Sequence, residues 1–223
     1  MFDARGGDVD ALVLALRREG PSIDAAASGH DVRKGVAIRG PVAGEASQGG
    51  PGYRTVDGAI EVTLPNVEVS AVPGICRSMG AVLERIAAPG TIEVMTGAMH
   101  PMVPVRRGPI FLSLSFRRFP DQSVAQFREW WHDRHAPMAI PVLTETLLLA
   151  YDQVHVDHAA SHVAADALGV ASSLYDAYDN LTFESPATFE EACSDAAGMA
   201  RLSEDEANWI DNSSRRYALM CEV

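Results

Sequence analysis

The stretch Ile110-Phe111-Leu112-Ser113-Leu114-Ser115-Phe116-Arg117-Arg118 alternates, with Ile110, Leu112, Leu114 and Phe116 on one parity and Phe111, Ser113, Ser115 and Arg117 on the other. A two-residue period of this kind belongs to a strand, whose successive side chains point to opposite faces. Pro120 ends it, and Ser123 with Gln126 forms a capping box that opens a helix. Val124, Phe127, Trp131 and His135 share one face of that helix by their spacing. Pro137 disfavours helical geometry at Ala136, so the helix is expected to end beside His135. Leu147 to Val156 reads as a second strand, followed by a polar connection rich in histidine. Tyr175 to Glu184 alternates again as a third strand. Ser185-Pro186 starts another helix, with proline at its first position. Ser203 and Glu206 suggest a short capped helix, and Tyr217 to Val223 a closing strand. The order is βαββαβ, a split βαβ or ferredoxin-like unit.

The first half repeats this order more faintly. Leu14-Ala15-Leu16-Arg17-Arg18 echoes Leu114 to Arg118, and Asp57 to Leu64 echoes Asp176 to Phe183. Lys34 to Arg39 is expected as the second strand, Ile75, Met79, Val82, Leu83 and Ile86 as the buried stripe of a helix, and Thr91 to Met95 as the closing strand. The first helix of this copy, Ser22 to His30, is short and has no aromatic residue. Gly40 to Gly52 reads as a loop, and the prolines and arginines from Pro101 to Pro109 as a boundary. Two units are therefore expected, a degenerate one over residues 1–105 and a second over residues 106–223. A ferredoxin-like unit covers one sheet face with helices and leaves the other in need of a partner. The expected class is α+β: two ferredoxin-like units in one chain forming an intramolecular α+β barrel, with a homodimer as a further association.

Composition narrows the partners. The 223 residues carry 18 Lys and Arg against 30 Asp and Glu, a formal charge of −12. An acidic chain lacks the footprint for phosphate backbones and for anionic membrane surfaces, so neither nucleic acid nor membrane is expected as a partner. A hydrophobic fraction of 47% is ample for a core. No apolar run approaches the ~20 residues of a membrane span. Ala11 to Leu16 follows Asp8 and Asp10 rather than a basic segment, which argues against a signal peptide. Cys76, Cys193 and Cys221 are far apart and form no CxxC, as expected of thiols in a reducing cytoplasm.

Chemistry concentrates around Trp130-Trp131-His132-Asp133-Arg134-His135-Ala136-Pro137. Trp131 and His135 are one helical turn apart, which sets an imidazole at the end of an apolar stripe. Such a histidine can carry a proton near neutral pH, or can simply bond to backbone at a helix end. The stretch resembles the EthD family, whose helix bears an aromatic-Trp-x-x-x-His-Ala-Pro signature. Tyr175 to Phe183 is similar to that family's later strand, and Arg201 to Trp209 to its tail with an acidic pair. Asn180 stands where the family has glutamate, and the first half lacks the Trp-x-x-x-His helix. The resemblance implies a dimeric α+β barrel fold, a small-molecule pocket between helices and sheet, and a lyase or cyclase working without cofactor on aromatic or polyketide-like compounds.

The site expected from this reading has His135 as proton carrier. Asp176, Tyr178, Asn180 and Thr182, on one parity of one strand, supply a second acid/base, Asp176 or Tyr178, and polar contacts to substrate. The alternative for that parity is a polar barrel interior held by structural hydrogen bonds. Trp131 is taken as a pocket wall, with core packing as the plainer role, and Arg117 as a carboxylate clamp or a solvated strand end. His155, His158 and His162 would share a face if helical, but a solvated loop without metal is the preferred reading. No phosphate cradle and no GxSxG elbow occurs, so nucleotide cofactors and acyl-serine chemistry are unsupported, and the family resemblance implies that no cofactor is used. The expected activity is a cofactor-independent lyase acting by histidine proton transfer, in dehydration, decarboxylation or cyclisation. A cofactor-free oxygenase and a non-catalytic ligand-binding protein are the alternatives.

Overall fold

The computed structural model describes residues 1–38, 54–103, 107–143 and 147–223, so the Gly40 to Gly52 stretch and part of the expected boundary lie outside it. The strands are β1 (Asp31–Ala37), β2 (Arg54–Thr55), β3 (Gly58–Thr63), β4 (Gly97–Val103), β5 (Ile110–Arg118), β6 (Ala150–Val156), β7 (Ala177–Phe183) and β8 (Ile210–Glu222). They form one sheet in the order β3-β1-β8-β5-β7-β6-β4, with β2 beside β8. Apart from the parallel β2–β8 contact, the paired strands run antiparallel. Within the later half the order β8-β5-β7-β6 is fourth-first-third-second, the ferredoxin-like arrangement. The earlier half adds β1 and β3 at one side and β4 at the other. The fold is α+β, with the sheet curving into an α+β barrel.

The first strand of the earlier half is not where the sequence echo puts it. Leu14 to Arg18 lies inside helix α1 (Val9–Ala26), which Asp8 caps by accepting from the Ala11 amide at 3.0 Å. Leu12, Leu16, Glu19, Ile23 and Ala26 are buried along it at three- and four-residue spacing, and this face outweighs the alternation of a few residues. Met1–Ala4 takes the missing strand's place. Phe2 and Gly58 exchange amide-to-carbonyl bonds of 3.0 Å, and on the other side the Glu93 amide donates to Met1 at 2.8 Å. These bonds tie Met1–Ala4 to β3 on one side and to Glu93 on the other. The Ser22 to His30 helix is thus the end of α1 and its turn, and the closing strand falls at Gly97–Val103, later than Thr91 to Met95. Pro101 belongs to that strand.

Helix α2 (Val72–Ile86) buries the expected stripe against α1. Across the later half run α3 (Val124–Trp130), a π-helical turn (Trp131–His135), α4 (Ala136–Val142), α5 (His158–Leu168), α6 (Pro186–Ala192) and α7 (Ala196–Glu206). The connection after β6 is therefore a helix, capped by Asp157 and ended by Gly169 at φ 72°, rather than a loop. Ser203 and Glu206 stand at the end of α7, whose cap is Asp195. Pro137 does not stop the helix: it stands in the first turn of α4, directly after the π-helical turn. Among the described residues no helix is long and apolar enough to cross a membrane.

The sheet has two buried faces. Leu112, Leu114, Leu181, Phe183 and Leu219 meet the helices, with Phe127, Trp131 and Phe189 against them. The other face lines the barrel, where Phe111, Ala218 and Met220 form a smaller apolar cluster. Gly35 of β1 is required there: a Cβ would stand 2.3 Å from the Phe111 ring.

Strand β4 is tied to the later half by three imidazoles as well as by its pairing with β6. The His100 and His155 rings lie 4.1 Å apart, the His132 ring lies 5.6 Å from His100, and His155 also stacks on Trp131 at 5.2 Å. Burial, then the neighbouring His100, Arg128 and His132, push the His155 pKa down to about 4, against a small opposing effect of Asp133. In the unfolded chain the same group titrates near ~6.5. Stability from a neutral His155 is complete above that value and is lost as pH falls toward 4, because the unfolded chain takes up the proton first. In urea unfolding, the wild type should lose on the order of 3 kcal/mol more than His155→Gln between pH 7 and pH 4. A difference between the two proteins that stays constant with pH would contradict this role.

Candidate functional site

The helix that carries His135 begins as its sequence requires. Ser123 accepts from the Gln126 amide and Gln126 accepts from the Ser123 amide, each at 3.2 Å, a complete capping box. At Trp131 the helix widens into the π turn. The Trp131 carbonyl accepts from the Ala136 amide and also from the Gln153 side chain at 3.0 Å. With bonds reaching five residues back instead of four, His135 is aligned with Trp130 rather than Trp131. Its ring lies 5.0 Å from that of Trp130, which stacks on Trp209 at 5.2 Å with planes 6° apart. Trp131 is committed to the core, edge-on to Phe116 at 5.4 Å.

Helix α7 meets this turn with two adjacent carboxylates. His135 Nδ1 lies 2.9 Å from Asp205 Oδ2, which also accepts from Trp130 Nε1 at 3.0 Å. His135 Nε2 stands 3.5 Å from Glu206 Oε1, and Glu206 is held in turn by buried Arg215 at 2.6 Å. Burial works to raise the Asp205 pKa, but the bonds from His135 and Trp130 and the His135 charge bring it below the ordinary value. The imidazole is buried, with 5% of its residue surface exposed, and opens on a cavity of about 50 Å³ between helices and sheet. Leu114 and Leu181 form the sheet wall and Phe189, Met199 and Leu202 the helix wall. The polar atoms reaching it come from His135, Tyr151, Asp179, Ser203 and Glu206, with no lysine or arginine among the described lining residues.

Tyr151 and Asp179 project from the helix-facing parity of β6 and β7. The Tyr151 hydroxyl accepts from Gln153 at 2.9 Å, so Gln153 links the π turn to the cavity floor. Burial raises the Tyr151 hydroxyl well above its usual pKa, helped by the Asp179 charge.

The residues expected to work with His135 lie elsewhere. Tyr178, Asn180 and Thr182 face the barrel interior. There Tyr178 donates to Glu61, Asn180 Nδ2 donates to both Glu61 oxygens at 2.9 and 2.7 Å, and Arg33 donates to Asn180 Oδ1 and Thr182 Oγ1 at 3.2 and 3.1 Å. That is the structural alternative for this parity, and the reason is the strand's own period: neighbours on β7 point to opposite faces. Asp176, just before β7, accepts from the Arg118 amide at 3.1 Å and lies 3.3 Å from His158 Nε2. Arg117 pairs with Asp211 at 3.5 Å and is 40% exposed, a strand-end role away from the cavity. Trp131 packs in the core and does not line the cavity. His158 and His162 lie on α5, while His155 joins the histidine cluster of β4. Among the described residues no group of three or more His, Cys, Asp or Glu is arranged to hold a metal ion.

Sequence reasoning missed Tyr151, Asp179, Ser203 and Glu206 as cavity residues. Asp179 did leave a signal, since it is the one charged residue on a parity otherwise made of Ala177, Leu181 and Phe183. Compared with known proteins, residues 120–213 match the model of the family described as EthD domain. No curated protein and no solved structure matches the chain.

Gln153 supplies the donor that the Trp131 carbonyl and the Tyr151 hydroxyl share. Gln153→Leu keeps its volume but leaves the Tyr151 oxygen and the π turn short of a donor. The expected loss is ~1–3 kcal/mol in urea unfolding. A change below about 0.5 kcal/mol, within the range of ordinary surface substitutions, would show that this link does not hold the turn.

Proposed function

We propose, for a chain whose residues 120–213 match the EthD domain family, a lyase that acts by proton transfer through His135 and needs no cofactor. The observation that carries this reading is a buried imidazole fixed at one nitrogen by Asp205, 2.9 Å away, and facing a cavity between helices and sheet. With Nδ1–H donated to Asp205, Nε2 is the nitrogen left to take a proton from substrate. The charge that then appears on the ring is faced by Asp205 on one side and Glu206 on the other. The reaction class is removal or return of a proton beside a carbonyl or phenolic oxygen, the step common to dehydration, decarboxylation and ring closure.

The walls set the substrate class. Leucine, phenylalanine and methionine side chains favour a compact apolar body, and with no lysine or arginine among the described lining residues an anionic substrate meets no counter-charge from them. The substrate is accordingly a small uncharged carbonyl or phenolic compound. A volume of about 50 Å³ takes a few heavy atoms. An aromatic ring enters as Met199, unbranched and adaptable, changes rotamer.

Small ketones, β-hydroxy carbonyl compounds and phenols, assayed for product formation with wild type and His135→Gln, test the reading. Loss of His135 should lower turnover by ~10²–10⁴-fold while the circular dichroism spectrum and substrate binding persist. Equal turnover by the variant would remove histidine from the chemistry. Oxygen uptake in proportion to turnover would make the enzyme an oxygenase.

A further inference from the structure

Resting on the proton-transfer reading above, we propose that Asp179 is a second catalytic residue, whose carboxyl hydrogen-bonds to the substrate oxygen and exchanges a proton with it opposite His135. Both side chains line the same cavity, one from the helix layer and one from the sheet. Asp179 is 95% buried, with 5% of its surface exposed, and its Oδ1 has no hydrogen-bond partner. A buried polar atom facing a cavity without a partner is an atom arranged for a ligand. The cation that would neutralise a carboxylate here, Arg215, is engaged by Glu206 at 2.6 Å.

The electrostatics agree with that geometry. Burial holds the Asp179 carboxyl well above the ordinary carboxylate range, and the Glu206 charge adds to it, against the neighbouring Tyr151 hydroxyl and the Arg215 charge. The Asp179 carboxyl is thereby biased toward its neutral form, which can donate. In enolisation, His135 Nε2 takes the proton from the carbon beside the carbonyl as Asp179 gives its proton to the carbonyl oxygen. The products are an imidazolium, a carboxylate and an enol, with no net change of charge across the site. Return of the two protons, at the same or another carbon, restores both residues.

Acetone, which offers one acceptor oxygen and fits the cavity, is the probe. Its binding is followed by NMR to wild type, Asp179→Asn, whose amide still donates, and Asp179→Leu, which has similar shape and no donor. Wild-type protein with carboxyl-labelled aspartate gives the Asp179 signal, assigned by its loss in Asp179→Asn. The proposal requires a protonated Asp179 at pH 7 that shifts on acetone addition, and acetone affinity about tenfold weaker in Asp179→Leu than in Asp179→Asn. An ionised Asp179 at pH 7, or equal acetone affinity in the two variants, overturns it. These measurements do not depend on turnover, so they stand or fall apart from the lyase reading. Once a substrate is known, Asp179→Asn should bind it and fail to convert it; full conversion by that variant would confine Asp179 to binding and overturn the proton-exchange step.

Discussion

Strand β7 is buried on both of its faces, with polar side chains along one and a single acid on the other, and this constraint shapes the molecule around it. Inside the barrel, Tyr178 and Asn180 meet the Glu61 carboxylate of β3, and Asn180 and Thr182 meet the Arg33 guanidinium of β1. Arg33 also donates to Glu222 and to the Gly108 carbonyl, and lies over the Phe111 ring at 3.9 Å. Burial raises the Glu61 pKa despite these partners. Buried polar groups left without partners cost free energy, so the earlier half of the chain is needed to complete the interior of the later half. On the opposite face a single acid, Asp179, interrupts an apolar surface, and a cavity stands beside it.

The helix layer is organised by the π turn. One added residue per turn transfers His135 from the register of Trp131, which fills the core, to that of Trp130, whose indole shares Asp205 with it. The imidazole, the indole and the carboxylate thus hold one another, and stacking of Trp130 on Trp209 fixes the group against α7. A regular α-helix through the same residues would direct His135 into the packed aromatic cluster of Phe116, Phe127 and Trp131. The added turn leads the histidine to the edge of that cluster, where there is space.

Much of this was readable before any coordinates. The alternation of Ile110 to Arg118, the capping box at Ser123 and the proline at the start of α6 each lie within a few neighbouring residues, and each marks the element found there. His135 was legible from its tryptophan pair. The strand expected at Leu14 to Arg18 was misread because five similar residues in two places do not share a burial pattern; α1 extends over eighteen residues and its buried face decides. The sequence pairs His135 with the parity of β7 that faces away from its cavity for a related reason. A polar parity says that its residues are satisfied by something, and only the position of Glu61 and Arg33 shows that the something is protein.

From the amino acids alone came the class of fold, the order of strands and helices in the later half, and the histidine that opens on the cavity, because these depend on periodicity and caps spanning a turn or two. The tertiary structure decided which carboxylates attend that histidine, which face of β7 meets it, and that Met1–Ala4 lies beside β3. Those features join residues as far apart as His135 and Asp205, or Tyr178 and Glu61, and a local pattern carries no record of the partner with which a distant side chain is buried.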